Sequence, residues 1–164
     1  MKLTRQRLLG ATLGLTVVGS VAGVALASPP SGIVSTVNPA DTKADLDKRV
    51  DLRSDGIRFR TKGPTDVGFQ TIDFAAGGRT GWHHHPGMVI VTVQSGAVTV
   101  VDSHCRARTY GPGSPRGSAF TESGDEPMEV RNLSGAPATV QAVLIAPDAD
   151  PPVFRVEDDV VACP

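Results

Sequence analysis

The sequence predicts an all-β sandwich or barrel, and three observations support this prediction. From Val67 onward, short runs rich in β-branched and aromatic residues are separated by Gly, Pro and Ser, as in proteins built from many short strands. This region contains no long stretch with the periodicity of an amphipathic helix. Ser95-Gly96 is typical of a tight hairpin, and Gly111–Pro115 of an irregular loop.

The central strand shows which face should be buried. Side chains alternate between the two faces of a strand, so Val89, Val91 and Val93 share one face, with Ile90 and Thr92 on the other. We expect the valine row to face the interior. The full set of predicted strands is Ile57–Lys62, Phe69–Phe74, Thr80–His85, Val89–Gln94, Ala97–Asp102, Ala119–Glu122, Glu129–Asn132 and Ala138–Ile145.

The N-terminus has the features of an export signal. Basic residues precede an apolar stretch from Leu8 to Ala27, which ends in the small-x-small sequence Ala25-Leu26-Ala27. We therefore predict a cleaved signal peptide over residues 1–27 and a secreted, extracellular protein. The stretch is also long enough to serve as an uncleaved membrane anchor, which is the alternative.

The remaining chain is long enough for one domain with a core, but not for two. Residues 28–56 are predicted to form a flexible leader, in which Asp41–Arg53 could be a short helical turn or an edge strand. Residues 57–147 are predicted to form the barrel domain, and residues 148–164 a C-terminal tail.

Charge argues against polyanionic partners. The first 27 residues hold three of the 16 basic residues and none of the 17 acidic ones, which leaves 13 basic and 17 acidic residues in the rest. An acidic balance of this kind does not favour nucleic acid or an anionic membrane surface as the main partner. A small-molecule ligand or a metal ion is the expected partner.

Cys105 and Cys163 are the only cysteines. In an exported protein the two are expected to form a disulfide, which would tether the tail to the barrel. The competing interpretation, in which Cys105 and the adjacent His104 act as nucleophile and base, has poor geometry because neighbouring residues of a strand face opposite ways.

Two histidines form the first half of a candidate metal site. His83 and His85 lie one residue apart before the valine-rich strand, so an extended backbone aims both imidazoles at one point while His84 faces away. Imidazole is a common ligand of Zn, Cu, Fe and Ni.

The spacing around these histidines resembles the first motif of the cupin superfamily, whose members have a double-stranded β-helix (a jelly-roll barrel). That motif runs from Gly through His-x-His and Glu to a second Gly, and here it reads Gly77, His83, His85, Val89 and Gly96 with every spacing kept. Val89 stands in the glutamate position. The likeness is greatest to small secreted actinobacterial-type cupin proteins, through Gly81–Gly87 (GWHHHPG) and the terminal Cys-Pro.

The second cupin motif is kept only at its ends. Gly117 and Asn132 match, whereas Met128 occupies the position of the metal-binding histidine. The resemblance implies a metal held by His83 and His85, with Met128 as a further ligand whose thioether suits copper(I) better than a hard divalent ion. The cofactor would be one divalent metal or copper ion.

A replacement carboxylate is one alternative for completing this site. Glu126 lies two positions from Met128 and would share its strand face, and Asp125, Glu122 and Glu129 are also near in sequence.

Three functions follow from these residues. The first is a secreted barrel that binds a small molecule or metal ion at a degenerate metal site, without assigned catalytic residues. The second is a metal-dependent enzyme of the oxygenase or isomerase type acting on a small extracellular substrate. The third is an inert structural or interaction barrel. By resemblance to other cupins, a homodimer is a further expectation.

Overall fold

The computed structural model describes residues 27–38 and 44–163. Within these ranges the chain forms thirteen strands, and no helix has the length and apolar character needed to cross a membrane. The predicted signal peptide lies outside the described residues, apart from Ala27. The strands are β1 Ser31–Asn38, β2 Asp45–Leu46, β3 Asp51–Ser54, β4 Ile57–Arg60, β5 Thr65–Arg79, β6 His83–His84, β7 Met88–Ser95, β8 Val98–Asp102, β9 Ala107–Tyr110, β10 Ala119–Ser123, β11 Met128–Arg131, β12 Ala138–Pro147 and β13 Val156–Glu157.

Eleven of these strands form one antiparallel sheet that is nearly closed into a barrel. The long strand β5 pairs with β12 on one edge and with β1 and β2 on the other, and β12 continues through β7 to β10. At its far end β5 meets β11, which also pairs with β6 and β8. The strands β3 and β4 form a separate hairpin. The predicted all-β barrel is therefore confirmed.

The core lies inside the barrel and follows the predicted alternation. Val89, Val91 and Val93 are 2%, 4% and 4% exposed, whereas Ile90 is 41% exposed. They pack with Phe74, Val98, Val130, Leu144 and other apolar side chains from five strands. The prediction that the valine row faces the interior is confirmed. Burial of this apolar face is the main force that closes the sheet.

Residues 31–38, which the sequence places in a flexible leader, form the strand β1. This strand pairs with β5 from Phe69 to Phe74, along the edge of β5 that β12 does not occupy. Ile33 and Val37 pack against the core, while Val34 is exposed. The segment mixes Ser, Gly and Thr with three apolar residues and shows no clear period, so its strand character depends on the edge of β5.

The C-terminal tail is tethered to the barrel as the sequence predicts. Cys105 and Cys163 form a disulfide across 58 residues, with their Cα atoms 5.4 Å apart. Before it reaches Cys163, the tail adds β13 to β6, where Val156 lies opposite His84 and Glu157 opposite His83. The tail thus extends the barrel sheet beside the histidine segment.

Asn132, the last residue of the second motif, has a structural role. It is fully buried, and its side-chain amide donates to the carbonyls of Ala75 and Ala136 at 3.0 and 2.6 Å. Its side-chain oxygen accepts from the backbone N–H and hydroxyl of Ser134 at 3.1 and 2.7 Å. These bonds fasten the turn after β11 to β5.

Candidate metal centre

The two motif histidines converge inside the barrel. His83 and His85 are 3% and 6% exposed, and their ring centroids are 5.0 Å apart with the ring planes at 83°. The short strand β6 holds this segment because it is paired on one side with Met128 of β11 and on the other with the tail strand β13.

Both rings are oriented by backbone carbonyls. Nδ1 of His83 lies 2.9 Å from the carbonyl oxygen of Gly81, and Nδ1 of His85 lies 2.6 Å from that of Phe154. A carbonyl oxygen only accepts, so each Nδ1 must carry the hydrogen. Each Nε2 of a neutral ring is then left with its lone pair, which is the form in which histidine binds a metal.

Glu122 supplies a carboxylate next to these nitrogens. It lies on β10 directly opposite Val89 of β7, so it faces the same side of the sheet as the empty glutamate position of the motif. One ligand atom from each of His83, His85 and Glu122 lies within 4.8 Å of the others, and all three side chains are buried.

The contact between His85 and Glu122 brings two buried polar atoms together. Nε2 of His85 is 3.0 Å from Oε2 of Glu122, yet this buried nitrogen has no hydrogen-bond partner among the described residues. With the ring hydrogen on Nδ1, the facing atoms are two acceptors, which repel each other. A proton between the two atoms or a cation bound to both removes that repulsion, and two imidazoles with one carboxylate are a donor set that fits a metal ion.

The neutral state of His83 also suits metal binding. Burial lowers the pKa of His83 from its ordinary value of 6.5 to about 4, and repulsion by the Arg155 guanidinium adds to this effect, against an opposing attraction from Glu122. His83 is therefore neutral at physiological pH. Metal ions do not compete with a ring proton there.

Two cavities meet at this site. The interior cavity, of about 190 Å³, is walled mainly by core side chains such as Phe74, Val91 and Val140 and is reached by all three candidate ligands. The outer pocket, of about 180 Å³, is more polar and contains Arg108, Tyr110 and Met128. His85 and Glu122 line both. An ion held by these residues would be accessible from either side.

The other residues singled out by the sequence lie around this centre. Met128 is half-buried, directly across from His83, and packs against the core while lining the outer pocket. Glu126 is exposed and binds His104 and Ser103 at 2.9 and 2.8 Å, instead of joining the two histidines. The strand β11 begins at Met128, so Glu126 lies outside it and does not share a strand face with Met128 as expected.

The C-terminal tail provides the surrounding contacts of the histidine segment. The carbonyl of Phe154 contacts His85, and the carboxylate of Asp158 lies 2.9 Å from Nδ1 of His84. Arg155 donates to the carbonyl of Thr80 at 2.7 Å and pairs with Glu157. Sequence reasoning missed this arrangement, because nothing in the local pattern of the tail points to the histidines about 70 residues earlier.

Searches of family models and of curated protein sequences return no match to this chain. Among solved structures, the polyketide cyclase RemF from Streptomyces resistomycificus matches 79% of this chain and 75% of its own, with 17% identity and a TM-score of 0.50. A cupin domain from Bordetella pertussis Tohama I matches 74% of this chain and 99% of its own, with 19% identity and a TM-score of 0.46. An oxalate oxidase in complex with the substrate analogue glycolate matches 47% of this chain, with 22% identity and a TM-score of 0.40.

The chain spans only 40% of the oxalate oxidase that it matches. The likeness to RemF concerns the fold alone, and the fold hosts unrelated functions. Cupin-domain proteins are among the solved structures to which this chain is similar.

Proposed function

We propose that this protein is an exported barrel that holds one divalent transition-metal ion between His83, His85 and Glu122, and binds a small molecule at that ion. The observation that carries the proposal is the 3.0 Å approach of two buried acceptors, Nε2 of His85 and Oε2 of Glu122, with no hydrogen-bond partner for the nitrogen. A metal ion satisfies both atoms at once.

The donor set narrows the choice of ion. Two imidazoles and one carboxylate suit Fe²⁺, Mn²⁺, Zn²⁺ or Cu²⁺ better than Ca²⁺ or Mg²⁺, which prefer oxygen ligands. The Glu122 carboxylate also offsets part of the ion's charge in an apolar barrel, where an uncompensated charge is costly. Met128, beside His83, is proposed as an additional ligand only for copper(I).

The interior cavity limits the size of the ligand. At about 190 Å³ it is smaller than the pockets of about 300–1,000 Å³ that hold drug-sized molecules. Its walls are largely apolar, and their polar side chains include the three candidate ligands and Arg155. We therefore propose a ligand of a few heavy atoms that offers a metal-binding group at one end.

A metal-dependent enzyme is the second candidate function. Two histidines and one carboxylate are the donor types of the facial triad in non-haem iron oxygenases, which leaves further positions of the ion open. Glu122 supplies the acid that this triad needs. Oxygen or a substrate would then reach the ion through one of the two cavities.

Metal analysis of the untagged, exported protein tests the proposal. After incubation with iron, manganese, zinc or copper, the protein should retain about one equivalent of one metal. Glu122→Gln should lower its affinity by more than about 100-fold, because losing even an outer-shell partner costs about 10–100-fold. The matched control is Glu126→Gln, which alters an exposed carboxylate and should leave the affinity unchanged.

Two results would overturn the proposal. One is the absence of stoichiometric metal in the wild-type protein under every condition. The other is full retention of metal in the His83→Ala/His85→Ala variant, which would assign the metal to another group. A steady-state oxygen-consumption assay with the metal-loaded protein then separates the enzyme from the binding protein.

Export itself remains part of the proposal. The Cys105–Cys163 disulfide is compatible with a secreted protein. N-terminal sequencing of the exported chain should start at Ser28.

A further inference from the structure

A second cluster of candidate ligands lies where β5 begins, away from the histidines. Asp66 is fully buried there, in a strand flanked by β2 and β12. Oδ2 of Asp66 accepts a hydrogen bond from the backbone N–H of Ala149 at 2.9 Å, whereas its Oδ1 is buried with no hydrogen-bond partner in the described part of the chain. A buried carboxylate with an unpartnered oxygen is costly unless something positive or hydrogen-bonding satisfies it.

Two more carboxylates converge on Asp66. Asp45 lies directly opposite it in the β2–β5 pair, and Asp148 follows the end of β12. One oxygen from each of Asp45, Asp66 and Asp148 lies within 4.8 Å of the others. Asp45 and Asp148 are exposed and take part in other interactions, so it is Asp66, at the base of the cluster, whose oxygen lacks a partner.

We infer that Asp45, Asp66 and Asp148 bind a calcium ion. Three carboxylates from three separate segments provide only oxygen ligands, which hard cations prefer and softer metals do not. Ca²⁺ accepts an irregular set of six to eight oxygens, whereas Mg²⁺ demands a near-ideal octahedron. The exposed side of the cluster leaves room for water molecules to complete the coordination.

Such an ion would connect parts of the chain that are far apart in sequence. It would attach the short strand β2, which has only two residues, to β5 and to the segment that follows β12. A ligand that binds only the folded chain stabilises it by mass action. The ion would thus act on stability, independently of the transition metal proposed at the histidines.

Thermal unfolding of the full mature chain in calcium tests this inference. After treatment with a chelator, addition of 10 mM Ca²⁺ should raise the Tm by roughly 5–10 °C, if the affinity is near the 10⁻⁴ M typical of extracellular calcium sites. The same concentration of Mg²⁺ should have a much smaller effect. Equilibrium dialysis should find about one bound Ca²⁺ per chain.

Matched variants assign the effect to this cluster. Asp66→Asn, and separately the surface variant Asp45→Asn/Asp148→Asn, should abolish the calcium-dependent rise in Tm. Asp47→Asn changes a nearby exposed carboxylate and should keep the full rise. The His83→Ala/His85→Ala variant should also keep it, which separates this site from the transition-metal centre.

The inference is overturned if Ca²⁺ neither binds at one equivalent nor raises the Tm of the wild-type protein. It is equally overturned if both cluster variants respond to Ca²⁺ as the wild type does, since the ion would then bind elsewhere.

Discussion

The buried neutral state of His83 makes the stability of the metal-free protein depend on pH. In the folded chain the pKa of His83 is lowered to about 4, against 6.5 for an unhindered histidine. Between these values the unfolded chain binds a proton that the folded chain does not, so the free energy of unfolding must fall as the pH falls. The free energy of unfolding is thus hardly affected by His83 well above pH 6.5, and it falls progressively as the pH drops from 6.5 toward 4.

The size of this effect follows from the two pKa values. Between pH 7 and pH 5 the linkage relation gives a loss of about 2 kcal/mol from His83 alone. The control is His83→Asn, whose side-chain amide can still donate to the carbonyl of Gly81 but does not titrate. Urea denaturation of both chelator-treated proteins at several pH values measures the difference.

The difference between the two proteins is the informative quantity, because it removes the contributions that all other titratable groups make to both. The wild type should lose about 2 kcal/mol more than His83→Asn over this interval. Parallel curves for the two proteins would refute the reasoning, because they would mean that His83 ionises in the folded state as readily as in the unfolded chain.

Two further predictions concern the framework of the site. Replacing both Cys105 and Cys163 by Ser should lower the free energy of unfolding, measured by urea denaturation, by about 4 kcal/mol in the chain-entropy model. Hydrogen exchange should also become faster in the tail. Unchanged exchange there would show that the disulfide does not hold the tail against the barrel. Gly87→Ala would place a Cβ 1.9 Å from the carbonyl oxygen of Ile145, so it should disrupt folding. Gly63→Ala, whose new Cβ would have no described atom within 4 Å apart from those of its two chain neighbours, should leave the Tm almost unchanged. Equal Tm values for the two variants would show that Gly87 does not pack against Ile145 as described.

The sequence was sufficient for the features that depend on local periodicity. The alternation in Val89–Val93 predicted the buried face of the central strand, because each side chain of a strand alternates with its neighbour. The spacing of His83 and His85 predicted two imidazoles on one face, and both rings lie in the barrel. Two cysteines in a chain expected to be exported predicted the disulfide.

The strand β1 and the ligands of the candidate site depended on contacts between distant segments. Ser31–Asn38 shows no clear period, yet it pairs along the free edge of β5. Strand propensity is weak by itself and is often decided by the neighbouring strand. The same is true of the tail, whose Phe154 carbonyl orients His85 only because the two segments meet in space.

The sequence alone did not identify which carboxylate lies beside the two histidines. By itself, the sequence determined the barrel, its buried valine row and the paired histidines, since these follow from the spacing of residues along one strand. It also showed that Val89 stands where the motif has glutamate. Only the tertiary structure placed Glu122 opposite Val89, because the register between β7 and β10 decides which side chains share a face. The acid of the candidate metal centre therefore comes from the neighbouring strand.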